Sequence, residues 1–166
     1  MDIGIHPTVV VMGVSGSGKT TVGLLLAHQL GVPFADADEF HSEQAKAKMA
    51  SGHPLDDDDR APWLRRLADW LAGEPDGAVL ACSALKRRYR DVLRSSSPRL
   101  CFLHLAGEAA VVTERVGHRR GHYMPASLVG SQYATLEPLE PDEFGVALNF
   151  TSPPEQIVEQ FLKEVS

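Results

Sequence analysis

The sequence is poor in cysteine, with two in 166 residues. Two thiols cannot build a disulfide scaffold, and Cys82 and Cys101 lack the paired spacing of a metal site. Each stands in an apolar run, so both are expected as small core residues in a reducing compartment. Positive charge is also scarce: 16 Lys and Arg face 22 Asp and Glu, for a formal charge of -6. That leaves no general basic field, so neither nucleic acid nor a membrane surface is expected as a partner. No apolar run is long enough to span a bilayer, and Met1 to Pro7 lacks a basic-then-apolar leader pattern, so a cytoplasmic location is expected. Repeats, low-complexity tracts and long linkers are missing as well. What is present is an ordinary globular composition, 43% hydrophobic and 23% charged, expected to form one domain over residues 1–166. In an acidic chain an anion site must be made by locally placed basic residues, and their positions are therefore informative.

The strongest local signal is Gly13-Val14-Ser15-Gly16-Ser17-Gly18-Lys19-Thr20. It follows an apolar run, Thr8 to Met12, and leads into a helical pattern ending near Leu30, which is the strand, glycine-rich turn and helix of a P-loop. The glycines allow positive φ and let backbone N–H groups point at a phosphate, and the helix adds its positive end. Lys19 is expected to reach the β- and γ-phosphates of a nucleotide, and the Thr20 hydroxyl to ligate Mg²⁺.

Further short apolar runs at 32–35, 78–82, 100–106 and 145–150 alternate with helical patterns. This predicts an α/β, doubly wound, five-stranded parallel sheet with helices on both faces. Gly31 is a plausible cap for the first helix. Over 60–72, Trp63, Leu64, Leu67, Trp70 and Leu71 form a core-facing stripe, with Pro62 suited to the first turn. The run Asp56-Asp57-Asp58-Asp59 before it suits a helix start.

In such sheets ligands gather beyond the carboxyl ends of the strands. Asp36-Ala37-Asp38 follows the second strand. Asp38 either accepts a hydrogen bond from a substrate hydroxyl and helps take its proton, or caps the next helix; Asp36 or Asp38 alternatively holds Mg²⁺ through water. The third strand delivers Ser83 and then a basic helix, on which Lys86 and Arg90 share a side suited to a carboxylate or phosphate. Arg87, Arg88 and Arg94 are expected on its solvated outer face. Arg115 and Arg119 lead into the glycine-bracketed basic loop Gly117-His118-Arg119-Arg120-Gly121-His122, which either covers a transferring phosphoryl group or is an ordinary exposed basic turn. His41, His53 and His122 fall near the same crevice. No histidine pair has zinc-site spacing, and no structural metal is expected.

Taken together, the P-loop, Asp36-Ala37-Asp38, Lys48-Met49-Ala50-Ser51-Gly52, Asp57-Asp58-Asp59-Arg60, Pro62-Trp63-Leu64, Cys82-Ser83-Ala84-Leu85-Lys86, Tyr89-Arg90-Asp91, Arg120-Gly121-His122 and Gln132 with Leu136-Glu137 resemble the small bacterial-type gluconokinases. The resemblance covers nearly the whole chain. It implies a fold like the shikimate and nucleoside-monophosphate kinases, with a substrate-binding segment at about 40–75 and a lid at about 117–125. It also implies the reaction of ATP with D-gluconate to give ADP and 6-phosphogluconate. On that resemblance Asp38 orients the 6-hydroxyl, and Arg60, Lys86 and Arg90 hold the sugar acid and its carboxylate. His41 and His122 are candidates for sugar hydroxyls, Arg119 and Arg120 serve the lid, and Gln132 lies near the substrate cleft. A homodimer is implied too. Tyr123 stands where phenylalanine is expected, and the fifth strand ends Leu148-Asn149-Phe150-Thr151 without the acidic residues often seen there. The alternatives are a shikimate-kinase-like enzyme, which would carry Gly-Gly-Gly where this chain has Cys82-Ser83-Ala84, and a non-catalytic nucleotide sensor.

Overall fold

The structure is a computed structural model and describes residues 7–53, 55–97, 99–117 and 126–165. Five parallel strands form one sheet in the order β2-β3-β1-β4-β5. They are β1 (Thr8–Met12), β2 (Phe34–Asp36), β3 (Ala78–Ala81), β4 (Cys101–Ala106) and β5 (Gly145–Asn149). The helices are α1 (Lys19–Leu30), α2 (Glu43–Ala50), α3 (Asp57–Ala72), α4 (Arg87–Ser96), α5 (Ala109–Gly117), α6 (Ala126–Thr135) and α7 (Pro154–Val165). A short 3-10 turn, Ala37–Phe40, follows β2.

Successive side chains of a strand face opposite sides, and a central parallel strand is apolar on both. In β1, Val9 and Val11 join one layer with Val22, Leu26 and Phe161. Val10 and Met12 join the other with Leu64, Leu67 and Phe102. Burying both faces of β1 leaves its carboxyl end as the point where the chain emerges, and the glycine-rich loop begins there.

Local chemistry moves several boundaries from where the sequence pattern put them. Val32 does not open β2, because its amide closes the end of α1 by donating to the Ala27 carbonyl at 3.1 Å. Gly31 makes that closure with φ 68, the left-handed cap glycine provides. Helix α3 starts three residues before Arg60, at Asp57, because Asp56 and Asp59 form a reciprocal capping box with both N–H···O distances 2.8 Å. Pro62 therefore lies in the second turn, not the first. The carbonyl it deprives of a donor belongs to Asp58, an exposed residue, so the missing bond is not one buried in the core.

Gly77 shows where the fold needs the smallest side chain. It holds φ +112, and a Cβ there would lie 2.3 Å from the Pro7 carbonyl oxygen. The same oxygen accepts from the Ala78 amide at 3.0 Å as the strands pair. Gly77→Ala is expected to lower the free energy of unfolding by roughly 1–3 kcal/mol, read from the urea midpoint. An unchanged midpoint would show that the β1–β3 entry tolerates a side chain.

Candidate active site

The first strand ends in the phosphate loop. Gly13, Gly16 and Gly18 hold φ 152, 85 and 97, conformations that would strain any residue with a side chain. The Gly13 amide donates to the Ser83 carbonyl at 3.2 Å, which ties the loop to the end of β3. Lys19 Nζ donates to the Val14 carbonyl at 3.0 Å, and the Ser17 amide donates to the same oxygen at 3.2 Å. The Lys19 ammonium is thus carried back across the loop that it follows.

One crevice of about 810 Å³ runs from this loop to the end of β2. Ser15, Gly16, Gly18, Lys19 and Thr20 line one wall, and Asp36, Asp38 and Trp63 line the other. The strand order explains the meeting. β2 lies two strands from β1, across β3, so the two strand ends open onto the same edge of the sheet.

Asp36 organises the acidic turn. Its Oδ2 accepts from the Thr20 hydroxyl at 3.0 Å, and its Oδ1 accepts from the Asp38 amide at 3.0 Å. Helix capping after β2 thereby falls to Asp36, and the Asp38 carboxylate projects into the crevice with 89% of its side chain exposed. The Thr20 hydroxyl and Asp36 carboxylate are hard oxygen donors on adjoining elements. They fit a Mg²⁺ ion that keeps several waters and takes its other ligands from a substrate. Among the described residues no cluster of three His, Cys, Asp or Glu forms a cage for a metal.

His41 lies beside Asp38, Nε2 to Oδ1 3.8 Å, with its ring stacked on Trp63 at 4.5 Å between centroids. Trp63 Nε1 donates to the Ala37 carbonyl at 2.8 Å, so this tryptophan walls the crevice as well as packing the core. Burial lowers the His41 pKa; Asp38 opposes this, while Arg66, Arg60 and Lys46 add to it. The ring is therefore neutral near pH 7 and offers a hydrogen-bonding nitrogen beside the Asp38 carboxylate.

The basic helix divides its cations differently from the i, i+4 expectation. Lys86 is not in the first turn of α4 but at its N-cap, with extended φ −102 and ψ 143. Its ammonium lies 3.6 Å from Asp57 and 5.5 Å from the Tyr89 ring centroid, whereas Arg90 turns to other partners. Arg90 is fully buried and makes a two-pronged pair with Glu143, at 2.8 and 3.0 Å. Its remaining N–H groups go to the carbonyls of Ala84, Leu85 and Pro138 at 2.9, 3.4 and 3.4 Å. A guanidinium has five N–H donors, and these contacts occupy all of them. Arg90 is thus corrected from a ligand of the sugar acid to a strut between α4 and the segment before β5.

Arg87 and Arg94 are likewise not free surface charges. Arg87 pairs with Glu140 and Asp142, and Arg94 with Asp91 and Glu143. Ala84 holds φ 45 and presents its carbonyl to Arg90.

Three cations stay on the outer side and surround the Tyr89 ring: Arg60, Lys86 and Arg88 lie 5.9, 5.5 and 5.7 Å from its centroid. At their centre stands one carboxylate, Asp57. It accepts from the Tyr89 hydroxyl and from Arg88, and lies 3.6 Å from Lys86 Nζ. The Tyr89 hydrogen bond holds the Asp57 carboxyl below the usual range; partial burial opposes this, and Arg88 and Lys86 reinforce it. Lys48 reaches Asp59 at 2.7 Å, so the Lys48–Gly52 and Asp57–Arg60 motifs are one structural unit.

Two connections were not legible in the pattern. Arg115 donates to the Gly16 and Phe150 carbonyls at 3.4 and 2.9 Å, joining the phosphate loop to the turn after β5. Gln132, expected at the substrate cleft, bonds instead to Ser15 of the phosphate loop. Arg119, Arg120 and His122 lie outside the described residues. Cys82 and Cys101 are buried, and burial pushes both thiols up to about 12, as inert core residues require.

A phosphate loop after the central strand, facing an acidic turn across one crevice of a five-stranded parallel sheet, defines a P-loop kinase. A family model described as shikimate kinase matches residues 15–137. The gluconokinase of Gluconobacter oxydans is 43% identical over 97% of this chain and 93% of its own length. The crystal structure of a gluconokinase from Sinorhizobium meliloti superposes with a TM-score of 0.88 at 44% identity, over 97% of this chain and 92% of that one. The shikimate kinase of Aquifex aeolicus shares the fold alone, with a TM-score of 0.61 at 19% identity over 95% of this chain and 94% of its own. The chain belongs to the gluconokinase family.

Proposed function

We propose that this protein transfers the γ-phosphoryl group of ATP to the 6-hydroxyl of D-gluconate, giving ADP and 6-phosphogluconate. The observation that carries the reading is the single crevice shared by Lys19 and Asp38. It brings the phosphate loop and an exposed carboxylate to one volume, as transfer from a cradled triphosphate to a carboxylate-held alcohol requires.

The loop Gly13 to Thr20 binds the triphosphate, through backbone amides that come after Ser15, and Lys19 balances charge on its β- and γ-phosphates. Thr20 and Asp36 would hold Mg²⁺, which when bound would neutralise negative charge on the phosphates. Asp38 accepts the proton of the attacking hydroxyl and fixes its direction, and His41 hydrogen-bonds a neighbouring sugar hydroxyl. Most of the acceleration is positioning and charge neutralisation, because phosphoryl transfer through a loose transition state needs little covalent help. Arg119 and Arg120 supply further positive charge to the transferring group, and His122 adds a contact to the sugar. The acid end of the substrate meets Arg60 and Lys86, joined by Arg88, around Tyr89.

ADP release measured with gluconate and with shikimate in separate reactions tests the reading. Gluconate-dependent turnover is expected, with none above background on shikimate. Turnover on shikimate alone would overturn it.

The carboxylate site makes a second test. Asp57 already satisfies the Tyr89, Arg88 and Lys86 donors that a substrate acid would need, so it competes with that acid. Asp57→Asn removes the competing charge while keeping an acceptor for Tyr89. The KM for gluconate is expected to fall about two- to fivefold with kcat unchanged, the scale of a partly exposed ion pair. A raised KM would show that Asp57 supports the sugar acid site and does not compete for it.

A further inference from the structure

Gln132, on α6, meets Ser15 twice across 117 residues of sequence. Its Oε1 accepts from the Ser15 amide at 2.7 Å, and its Nε2 donates to the Ser15 hydroxyl at 3.0 Å. A side-chain amide has one accepting and one donating end, and here both are directed at a single residue. The backbone N–H of Ser15 can only donate, which settles which end is the oxygen.

Ser15 is the third residue of the phosphate loop, between Gly13 and Gly16, both at positive φ. Glycines give this stretch the turn that it needs and also many competing conformations. A loop that must align several amides on one phosphate loses affinity in proportion to the time it spends elsewhere. The Gly13 end is held by Ser83 at 3.2 Å, and the Gly16 carbonyl by Arg115 at 3.4 Å. Gln132 holds the residue between them.

We infer that Gln132 is a positioning residue for the nucleotide: it fixes the first half of the phosphate loop in its phosphate-binding shape and acts on ATP and ADP affinity, not on the sugar acid. The inference rests on the nucleotide half of the proposed reaction and is independent of the phosphoryl acceptor. Because the Ser15 amide is engaged by Gln132, the cradle for phosphate is made by the amides that come after it in the loop.

The test uses the full-length protein, with ADP titrated by calorimetry and steady-state kinetics run against ATP and gluconate separately. Gln132→Leu keeps the side-chain size and loses both hydrogen bonds, while Ser15→Ala loses only the hydroxyl partner. Gln132→Leu is expected to weaken ADP binding and raise the KM for ATP by roughly five- to twentyfold, with the KM for gluconate unchanged. Ser15→Ala is expected to show a smaller loss, and the double variant no more than Gln132→Leu alone. A raised gluconate KM with intact ADP affinity would overturn the inference, as would fully additive losses in the double variant. If a thermal melt shows Gln132→Leu unfolded, Ser15→Ala decides: weakened ADP binding supports the inference and unchanged binding overturns it. Failure of wild-type protein to phosphorylate gluconate would count against the acceptor assignment only, since the ADP titration needs no acceptor.

Discussion

Lys19→Ala lowers kcat by roughly a thousandfold or more, and Asp38→Asn by about a hundred- to ten-thousandfold, while both variants melt near the wild-type temperature. The first figure is that of removing a charged group aimed at a transferring phosphoryl. The second is that of removing a positioned proton acceptor. The fold is expected to survive because neither side chain belongs to the core. Asp38 is 89% exposed at its side chain, and capping after β2 is done by Asp36. Lys19 reaches over its own loop to the Val14 carbonyl and does not pack between layers. The two losses should also differ in kind. With Asp38→Asn the triphosphate site is untouched, so the KM for ATP should hold while kcat falls. ADP release with saturating gluconate, beside a thermal melt, checks both. Wild-type turnover in either variant would remove that residue from the reaction.

Glu143→Gln is expected to cost about 3–5 kcal/mol of stability, the scale of breaking a buried ion pair from one side. The Glu143 side chain is fully buried, and its two oxygens accept from Arg90, from Arg94 and from the Glu140 amide. An amide in its place leaves the fully buried Arg90 charge without a counter-ion. Burial by itself would push the Glu143 pKa up, but the hydrogen bonds from Arg90, the Glu140 amide and Arg94 outweigh it and hold the pKa at about 2. A carboxyl whose folded pKa is depressed stabilises the fold fully above its unfolded value. That contribution is lost as pH falls from the ordinary glutamate range towards about 2. The stability gap between wild type and Glu143→Gln, measured by urea unfolding, should be widest near neutrality and shrink steadily below pH 4.5. A gap independent of pH would show that the cost is one of packing and not of charge.

How much of this was legible in the sequence depended on the distance over which each signal acts. The P-loop was readable because its chemistry is local: eight consecutive residues specify a turn, its positive φ positions and the helix beyond. The place of Asp38 in the crevice was readable for a related reason, since parallel strands deliver the residues after their carboxyl ends to one edge of the sheet. The cap at Gly31 needed only neighbouring residues. The start of α3 was local too, but a reading centred on Pro62 missed it because the reciprocal Asp56–Asp59 box outweighs the preference of proline for the first turn.

The roles of the basic helix were not legible, because a charge run says nothing about which partners the fold brings to it. Lys86 and Arg90 are four apart, yet Lys86 meets Asp57 and the Tyr89 ring while Arg90 meets Glu143. Arg90 is drawn inward by Glu143, 53 residues away, and Gln132 is drawn to Ser15 across 117. By itself the sequence determined the phosphate loop, the acidic turn, the alternation of strands and helices and hence the architecture. Only the tertiary structure decided which arginines are struts, which cations gather round Tyr89 and what Gln132 holds. Periodicity and motif spacing are set by bonds along the chain, whereas the partner of a buried charge is set by packing of elements distant in sequence.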